Sequence, residues 1–303
     1  MAPIKAKKSE KFQTIGLIGR TRMQEHATFL RKLKKYLEKN KCNILWDEHL
    51  SCVYGEKNVE TQKKILKKAD IVISLGGDGT ILKIVRDLPK RKNLYIYPVN
   101  LGNLGFLTET KKSDAVFTQL DEFFAGKYTV DERLLIRTTL YRKNLKLETH
   151  LALNDMVINQ GNFARLISLH AEIDQRKMIR FKGDGLIIAT PTGSTGHSLS
   201  AGGPIIHPKI DAFIFTPICP SELTVRPIVV PSNRQLSITI RTERRFKDNH
   251  IGLTIDGQIV IPVHYGDTIK VRRSSRKLRF IRKAPGASYY RLLRSKLNWG
   301  KKS

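Results

Sequence analysis

Between Gln13 and Val99 the chain alternates short apolar runs with stretches whose apolar residues recur every three or four positions, and that alternation admits few folds. Gln13 to Gly19 reads as a buried strand, and Phe29, Leu30, Leu33, Tyr36 and Leu37 then fall on one face of a helix. Cys42 to Trp46 reads as a second strand, Val59 to Lys68 as a second helix and Asp70 to Leu75 as a third strand. A helical stretch from Ile81 to Leu88 and a strand from Leu94 to Val99 follow. Strands separated by helices imply right-handed crossovers and a mostly parallel sheet, with ligands beyond the carboxyl ends of its strands. The loops after Leu75 and Val99 fall at that edge.

After Phe124 the pattern changes to β-rich runs: Leu134 to Tyr141, Leu145 to Ile158, Ala164 to Ile173, Leu236 to Arg241, Gly252 to Ile255, Thr268 to Val271 and Leu278 to Ile281. The expectation is an α/β domain over residues 1–125, a β-rich domain over 126–282 and a basic tail over 283–303. A helix from Tyr289 to Leu297 in that tail would pack back on the first domain. With 303 residues, 40% of them hydrophobic, the chain can bury a substantial core without disulfides or metals. Cys42, Cys52 and Cys219 form no Cys-x-x-Cys pair, which argues against a disulfide framework or zinc ribbon and for a reducing, cytoplasmic compartment. The apolar run from Ala212 to Cys219 is far short of the ~20 residues that cross a bilayer. No apolar stretch follows Lys5, Lys7 and Lys8, so no signal peptide is expected.

The charge is uneven. The 55 Lys and Arg outnumber 27 Asp and Glu for a net +28, and Lys270 to Ser303 holds 13 Lys or Arg with no acid. A second run lies at Arg31, Lys32, Lys34, Lys35, Lys39 and Lys41. Such runs are most often solvated faces, and a basic field attracts nucleic acid and phosphorylated small molecules alike.

Three segments can carry chemistry. Gly76-Gly77-Asp78-Gly79-Thr80 follows a buried strand and opens a helix, where backbone amides can approach a phosphate; the same residues also make an ordinary turn. An acid beside phosphate is repulsive unless it binds a metal or takes a proton. Asn100-Leu101-Gly102-Asn103-Leu104-Gly105-Phe106-Leu107 follows the next strand, with Phe106 either a wall for a flat ring or a core residue. The third comprises Asn154-Asp155, Lys182-Gly183-Asp184-Gly185 and the hydroxyl-rich stretch from Pro191 to Pro204. His197 reads better as a hydrogen-bonding neighbour than as a catalyst, and no second His or Cys stands at metal-ligand spacing. A Walker-type G-x-x-x-x-G-K-[ST] is absent.

Taken in order, GGDGT, NLGNLGFL, ND, GDGLIIATPTGSTGHSLSAGGPIIHP and DGQ at Asp256 to Gln258 resemble the NAD kinase family, ATP- or polyphosphate-dependent, over most of residues 13–282. GGDG by itself is shared with phosphofructokinases and lipid kinases; the long block and the N-D pair narrow the resemblance. It implies an α/β N-terminal domain, Rossmann-like and phosphofructokinase-like, and an all-β C-terminal domain, with the dinucleotide between them. It further implies a cytoplasmic homodimer or homotetramer that converts ATP and NAD into ADP and NADP with a divalent metal, Mg2+, and no metal-ligating side chains. By the same resemblance, Asp78 is the general base for the adenosine-ribose 2′-hydroxyl and Gly79 brings its backbone to the ligand. Asn154, Asp155, Lys182 and Asp184 are NAD contacts. Thr195, Gly196, His197, Ser198, Leu199 and Ser200 wrap the dinucleotide, and Lys83, Arg165 and Gln258 fall where the family has further contacts. Gly196 and His197 stand where many relatives have Ala and Tyr; Lys182 occupies the position linked to choice between NAD and NADH, and NAD is expected. The alternatives are another GGDG kinase acting on lipid, for which no amphipathic anchor is evident, or a basic nucleic-acid-binding protein, for which aromatic residues in basic surroundings are few. The basic segment with Arg272, Arg273 and Arg276 suggests a track for polyphosphate.

Overall fold

A computed structural model describes residues 12–20, 23–54, 59–90, 93–102, 105–108, 110–161, 166–241, 251–283 and 289–298. The chain divides into two compact units, one of residues 1–132 with 278–303 and one of residues 133–277.

The first unit runs β1 (Thr14–Gly19), α1 (Ala27–Lys39), β2 (Asn43–Asp47), α2 (Glu48–Tyr54), β3 (Val59–Glu60), α3 (Gln62–Lys68), β4 (Ile71–Gly76), α4 (Asp78–Arg86), β5 (Tyr95–Asn100), β6 (Thr110–Lys111), α5 (Ala115–Phe124) and β7 (Tyr128–Arg133). The stretch expected as one helix from Val59 divides into β3 and α3, and α4 starts at Asp78, so the GGDGT glycines lie at its amino end. Parallel pairing joins β3, β2, β1, β4 and β5, as alternating strands and helices require. Strands β1, β4 and β5 are apolar on both faces because helices cover both; Ile15, Leu17, Ile71, Ile73, Leu75 and Val99 anchor this core with Leu30, Leu33 and Leu37 of α1.

The second unit holds β8 (Ile136–Arg142), β9 (Leu145–Ala152), β10 (Asp155–Gln160), β11 (Ile167–Ile173), β12 (Arg176–Gly183), β13 (Gly185–Ala189), α6 (His197–Ser200), β14 (Ala212–Ile218), β15 (Ile228–Pro231), β16 (Leu236–Arg241), β17 (Ile251–Ile255), β18 (Ile259–Val263) and β19 (Thr268–Arg273). They form two antiparallel sheets, ordered β15-β14-β13-β10-β17-β18 and β12-β11-β16-β19-β8-β9. The run expected as one strand from Leu145 to Ile158 is broken at Leu153-Asn154: β9 belongs to one sheet and β10 to the other. Met156, Ile158, Leu186 and Ile188 face Leu169, Ile238, Ile240 and Ile269 between the sheets. Val157, Ile187, Ala189 and Ile214 form a second small core with Ala201 and Ile206, which is why β10 and β13 read as continuous rather than alternating apolar runs.

The chain then returns to the first unit. Strand β20 (Leu278–Lys283), which local patterning groups with the β-rich half, pairs parallel with β5 through Phe280 and Ile96, and α7 (Tyr289–Leu297) also belongs to that unit. Period-two patterning reveals a strand but not its partner; Phe280 and Ile281 are both fully buried, and Ile281 joins the first core. No helix among the described residues is long and apolar enough to cross a membrane.

Candidate functional site

In the first unit the site centres on Asp78, the first residue of α4. Gly76 must lack a Cβ because one would strike the Thr80 side chain, whereas a Cβ at Gly77 would meet no described atom within 4 Å. The Asp78 carboxylate reaches across to the loop after β5. Its Oδ2 accepts the Phe106 amide at 2.8 Å; its Oδ1 accepts the Leu107 and Thr108 amides at 3.2 Å each and the Thr108 hydroxyl at 3.0 Å. Gly105 permits this approach, since a Cβ there would overlap the carboxylate itself. Asn100, buried at the end of β5, donates from Nδ2 to the Thr108 hydroxyl at 2.7 Å and accepts the Gly102 amide at 2.8 Å, pinning the loop from behind. Phe106 is half-buried and Leu107 buried. Two glycine-rich segments separated in sequence thus form one structure. Oδ2 accepts one described hydrogen bond and, as a carboxylate oxygen, has capacity for another donor.

Arg282 on β20, absent from every sequence motif, completes this arrangement. Its Nη2 donates to the Leu107 carbonyl at 3.0 Å, its Nε lies 3.7 Å from the Asp131 carboxylate, and its guanidinium sits 4.7 Å from the Phe280 ring centroid. Lys83, half-buried on α4, acts electrostatically on Asp47, whose buried carboxyl is pushed up by desolvation and pulled back by Lys83. One oxygen of Asp47 lies buried without a described hydrogen-bond partner.

In the second unit Asn154 and Asp155 stand at the sheet crossover. The Asp256 carboxylate accepts the backbone amides of Leu153 at 2.8 Å, Asn154 at 2.7 Å and Asp155 at 3.1 Å, while the Asp256 amide donates to the Asp155 carbonyl at 2.9 Å. Asp256 and Gly257 have φ of 50° and 64°, the left-handed turn by which an Asp-Gly pair joins β17 to β18. From the other side, the Thr190 hydroxyl donates to the Leu153 carbonyl at 2.5 Å and the Thr190 amide to the Asn154 carbonyl at 2.8 Å. Gly193 packs so closely that a Cβ would collide with the Asn154 backbone.

A cavity of about 390 Å3 opens here, lined by Asn154, Asp155, Asn159, His197, Thr254 and Asp256 among others. Burial pushes the Asp155 carboxyl up to about 6. Burial also pushes Asp256 up to about 7, assisted by Asp155's charge and opposed by the three amides it accepts.

The hydroxyl-rich stretch divides by direction. Ser194 bonds the Pro191 carbonyl at 2.7 Å, and Ser198 pairs with Thr216 at 3.0 Å in the buried interior. Thr195 and Leu199 are half-buried, and Gly196, His197 and Ser200 are exposed. Asp184 is not brought to Asn154: its Oδ1 accepts the Gln160 side chain at 2.8 Å beyond the Gly185 end of β13, whereas Asp155 pairs with Ala189 at the other end. Four strand steps separate these ends, about 13 Å. The Lys182 amide, on the same side as Asp184, donates to Glu222 at 3.3 Å. Gln258 closes the Asp256-Gly257 turn through its amide to Ile255. Arg165 lies outside the described residues.

An α/β unit with a glycine-flanked acid at a helix start, joined to an antiparallel two-sheet unit with an amide-clamped Asn-Asp pair, defines a class of two-part phosphotransferases bearing the GGDG turn. The model for the ATP-NAD kinase N-terminal domain matches residues 15–128, and that for the ATP-NAD kinase C-terminal domain matches residues 153–283. The chain belongs to the NAD kinase family. It is 43% identical to an NAD kinase of Geotalea daltonii over 84% of this chain and 86% of that one, and 37% identical to one of Solibacter usitatus over 96% and 99%. In fold it resembles a yeast NADH kinase solved with NADH, at a TM-score of 0.87 and 24% identity over 97% of this chain and 90% of that one. It also resembles an Archaeoglobus fulgidus NAD kinase solved with ATP, at 0.72 and 23% over 94% and 99%.

Proposed function

We propose that this chain transfers the terminal phosphoryl group of ATP to the 2′-hydroxyl of the adenosine ribose of NAD, releasing ADP and NADP. The hydroxyl oxygen bonds to the terminal phosphorus as the bond to the bridging oxygen breaks; ADP leaves with that electron pair and the hydroxyl proton passes to Asp78. The carrying observation is the Asp78 carboxylate, oriented by Phe106, Leu107 and Thr108 with Oδ2 only partly occupied. A secondary hydroxyl is a weak nucleophile at neutral pH, so positioning and a nearby proton acceptor are what a protein can add. Gly79 brings backbone close to the ligand and Lys83 adds positive charge.

Asn154, Asp155 and the surface formed by Thr195, Gly196, His197, Leu199 and Ser200 bind the dinucleotide, with Ser198 bracing that surface from inside through Thr216. Lys182, Asp184, Arg165 and Gln258 are assigned as further NAD contacts on the motif match alone. The divalent ion that the reaction calls for would arrive on the donor's phosphates. Such an ion, Mg2+, supplies charge neutralisation at the transferring phosphoryl group. The same reading includes preference for NAD over NADH, a homodimer or homotetramer, and a cytoplasmic location.

The test is NADP formation by purified protein with Mg2+, NAD and either ATP or polyphosphate, with Asp78→Asn alongside. Product from wild type and a loss of about 100-fold or more in the variant support the assignment. A folded Asp78→Asn protein with near wild-type kcat removes Asp78 from the role, and no product from either donor overturns the whole reading.

A further inference from the structure

The outward face of the sheet β12-β11-β16-β19-β8-β9 carries a concentration of charge that the kinase reaction does not use. On β19 and β8, Ile269, Val271, Ile136 and Leu140 turn into the core, so strand alternation sends Lys270, Arg272, Arg137, Thr139 and Tyr141 outward. Arg272 stands directly opposite Arg137, a cross-strand pair of like charges that weakens the sheet when nothing neutralises it. Lys146 of β9 joins them opposite Tyr141, and Lys270 lies 4.7 Å from the Tyr141 ring centroid. These four cations line a depression of about 180 Å3 with Thr139 and Tyr141. No described carboxylate lies within ion-pair distance of them; over the outward positions of β11, β16, β19 and β8, the one described acid is Glu172, on β11. The field extends along the sheet: His170 of β11 is held below its usual range, first by burial and then by Arg180, Arg241 and Lys177.

Solvated single charges need no such convergence. Arg234, in the turn before β16, has Asp174 at 2.9 Å, and Arg273 of β19 has Asp211 at 2.9 Å, so these other arginines are neutralised within the chain. The ion pair of Arg273 also divides the sequence-expected trio of Arg272, Arg273 and Arg276, leaving Arg272 alone of the three in the depression.

We infer that this depression is a binding site for a multiply charged phosphoryl group, clasped between Arg137 and Arg272 with Lys146 and Lys270 at its sides. Two guanidiniums offer forked donors matched to phosphate oxygens, the lysines add compact charge, and the Thr139 hydroxyl lies among them. The depression, about 180 Å3, has room for one phosphoryl group or a linked pair. The ligand chemistry has two sources, a free inorganic phosphate or the phosphate of a small ester.

The experiment is calorimetric titration of the full chain with inorganic pyrophosphate and, separately, glycerol 2-phosphate, using wild type, Arg137→Ser/Arg272→Ser and, as control, Arg234→Ser. The double variant is expected to weaken binding of at least one probe by about tenfold or more. The control should match wild type, and ATP-driven NAD phosphorylation should stay within about twofold in both variants because these residues stand outside the machinery proposed for that reaction. Binding of pyrophosphate alone assigns a free phosphate; binding of both probes assigns the phosphoryl group itself. Thermal unfolding gives a second readout: without anion the double variant melts no lower than wild type, and pyrophosphate raises the melting temperature of wild type but not of the variant. If the double variant does not fold, Lys146→Ser/Lys270→Ser takes its place in both measurements. Equal affinities and equal anion-induced thermal shifts in wild type and variant overturn the proposal.

Discussion

The Asp256 carboxylate accepts the Asn154 backbone amide at 2.7 Å, a hydrogen bond spanning 102 residues of sequence. Through Asp256 the hairpin turn between β17 and β18 fixes the conformation of the Asn-Asp segment. Removing the carboxylate with Asp256→Ala leaves three amides without their acceptor, at a cost of about 1–3 kcal/mol each where water cannot replace it. A lowered melting temperature is expected, with KM for NAD rising more than kcat falls; Asp256→Asn, which keeps one acceptor oxygen, should recover part of both. Unchanged unfolding and kinetics in Asp256→Ala would show that the clamp does not hold the segment.

The pair Asp155 and Asp256 makes stability depend on pH in a definite direction. Both carboxyls are raised by burial, to about 6 and about 7, above the ordinary unfolded Asp range near ~4. Between these limits the folded chain holds more protons than the unfolded chain, so this pair's contribution is fully present below the unfolded value and is lost as pH rises through the folded values. Melting temperature measured across about pH 4 to 8 should carry a downward component from the pair, and Asp155→Asn should flatten it. A variant whose pH profile parallels that of wild type contradicts the assignment.

Gly105 admits no side chain because Asp78 occupies that space. Gly105→Ala must displace the carboxylate or the Phe106–Thr108 segment, and a displacement of about 1 Å at a reacting group costs on the order of 100-fold. NADP formation is expected to fall chiefly in kcat. A change at the open side of Gly77 is the comparison: Gly77→Ala meets no described atom within 4 Å, so it should lose less. Equal losses in the two variants would refute the steric argument.

Arg282 secures the outer side of the same loop through the Leu107 carbonyl and is buried beside Asp131. Arg282→Met keeps an apolar stem against Phe280 but withdraws the charge and the hydrogen bond. The expected result is a loss of about 1–3 kcal/mol in denaturant unfolding together with reduced turnover. Arg282→Lys, lacking the planar fork, should restore the charge but only part of the turnover. Full turnover in Arg282→Met would separate the β20 arginine from the site.

The amino-acid sequence by itself determined the local grammar: the apolar run before Gly76, the helix beginning beside Asp78, the two glycine-rich loops and the period-two strands of the second unit. These signals depend on residues within one or two turns of each other, where side-chain periodicity and glycine geometry act directly. Motif order likewise carried the family. The tertiary structure decided which of these pieces meet. It brought the Phe106–Thr108 amides onto Asp78, broke the expected strand at Asn154 to switch sheets, set Asp256 beneath that break and returned β20 with Arg282 to the first unit. It also kept Asp184 at the far end of β13 and turned Ser198 inward. The physical reason is that a backbone amide takes whichever acceptor the folded chain delivers, and a strand's partner is chosen by burial of its apolar face against distant residues; neither preference leaves a mark in the neighbouring sequence.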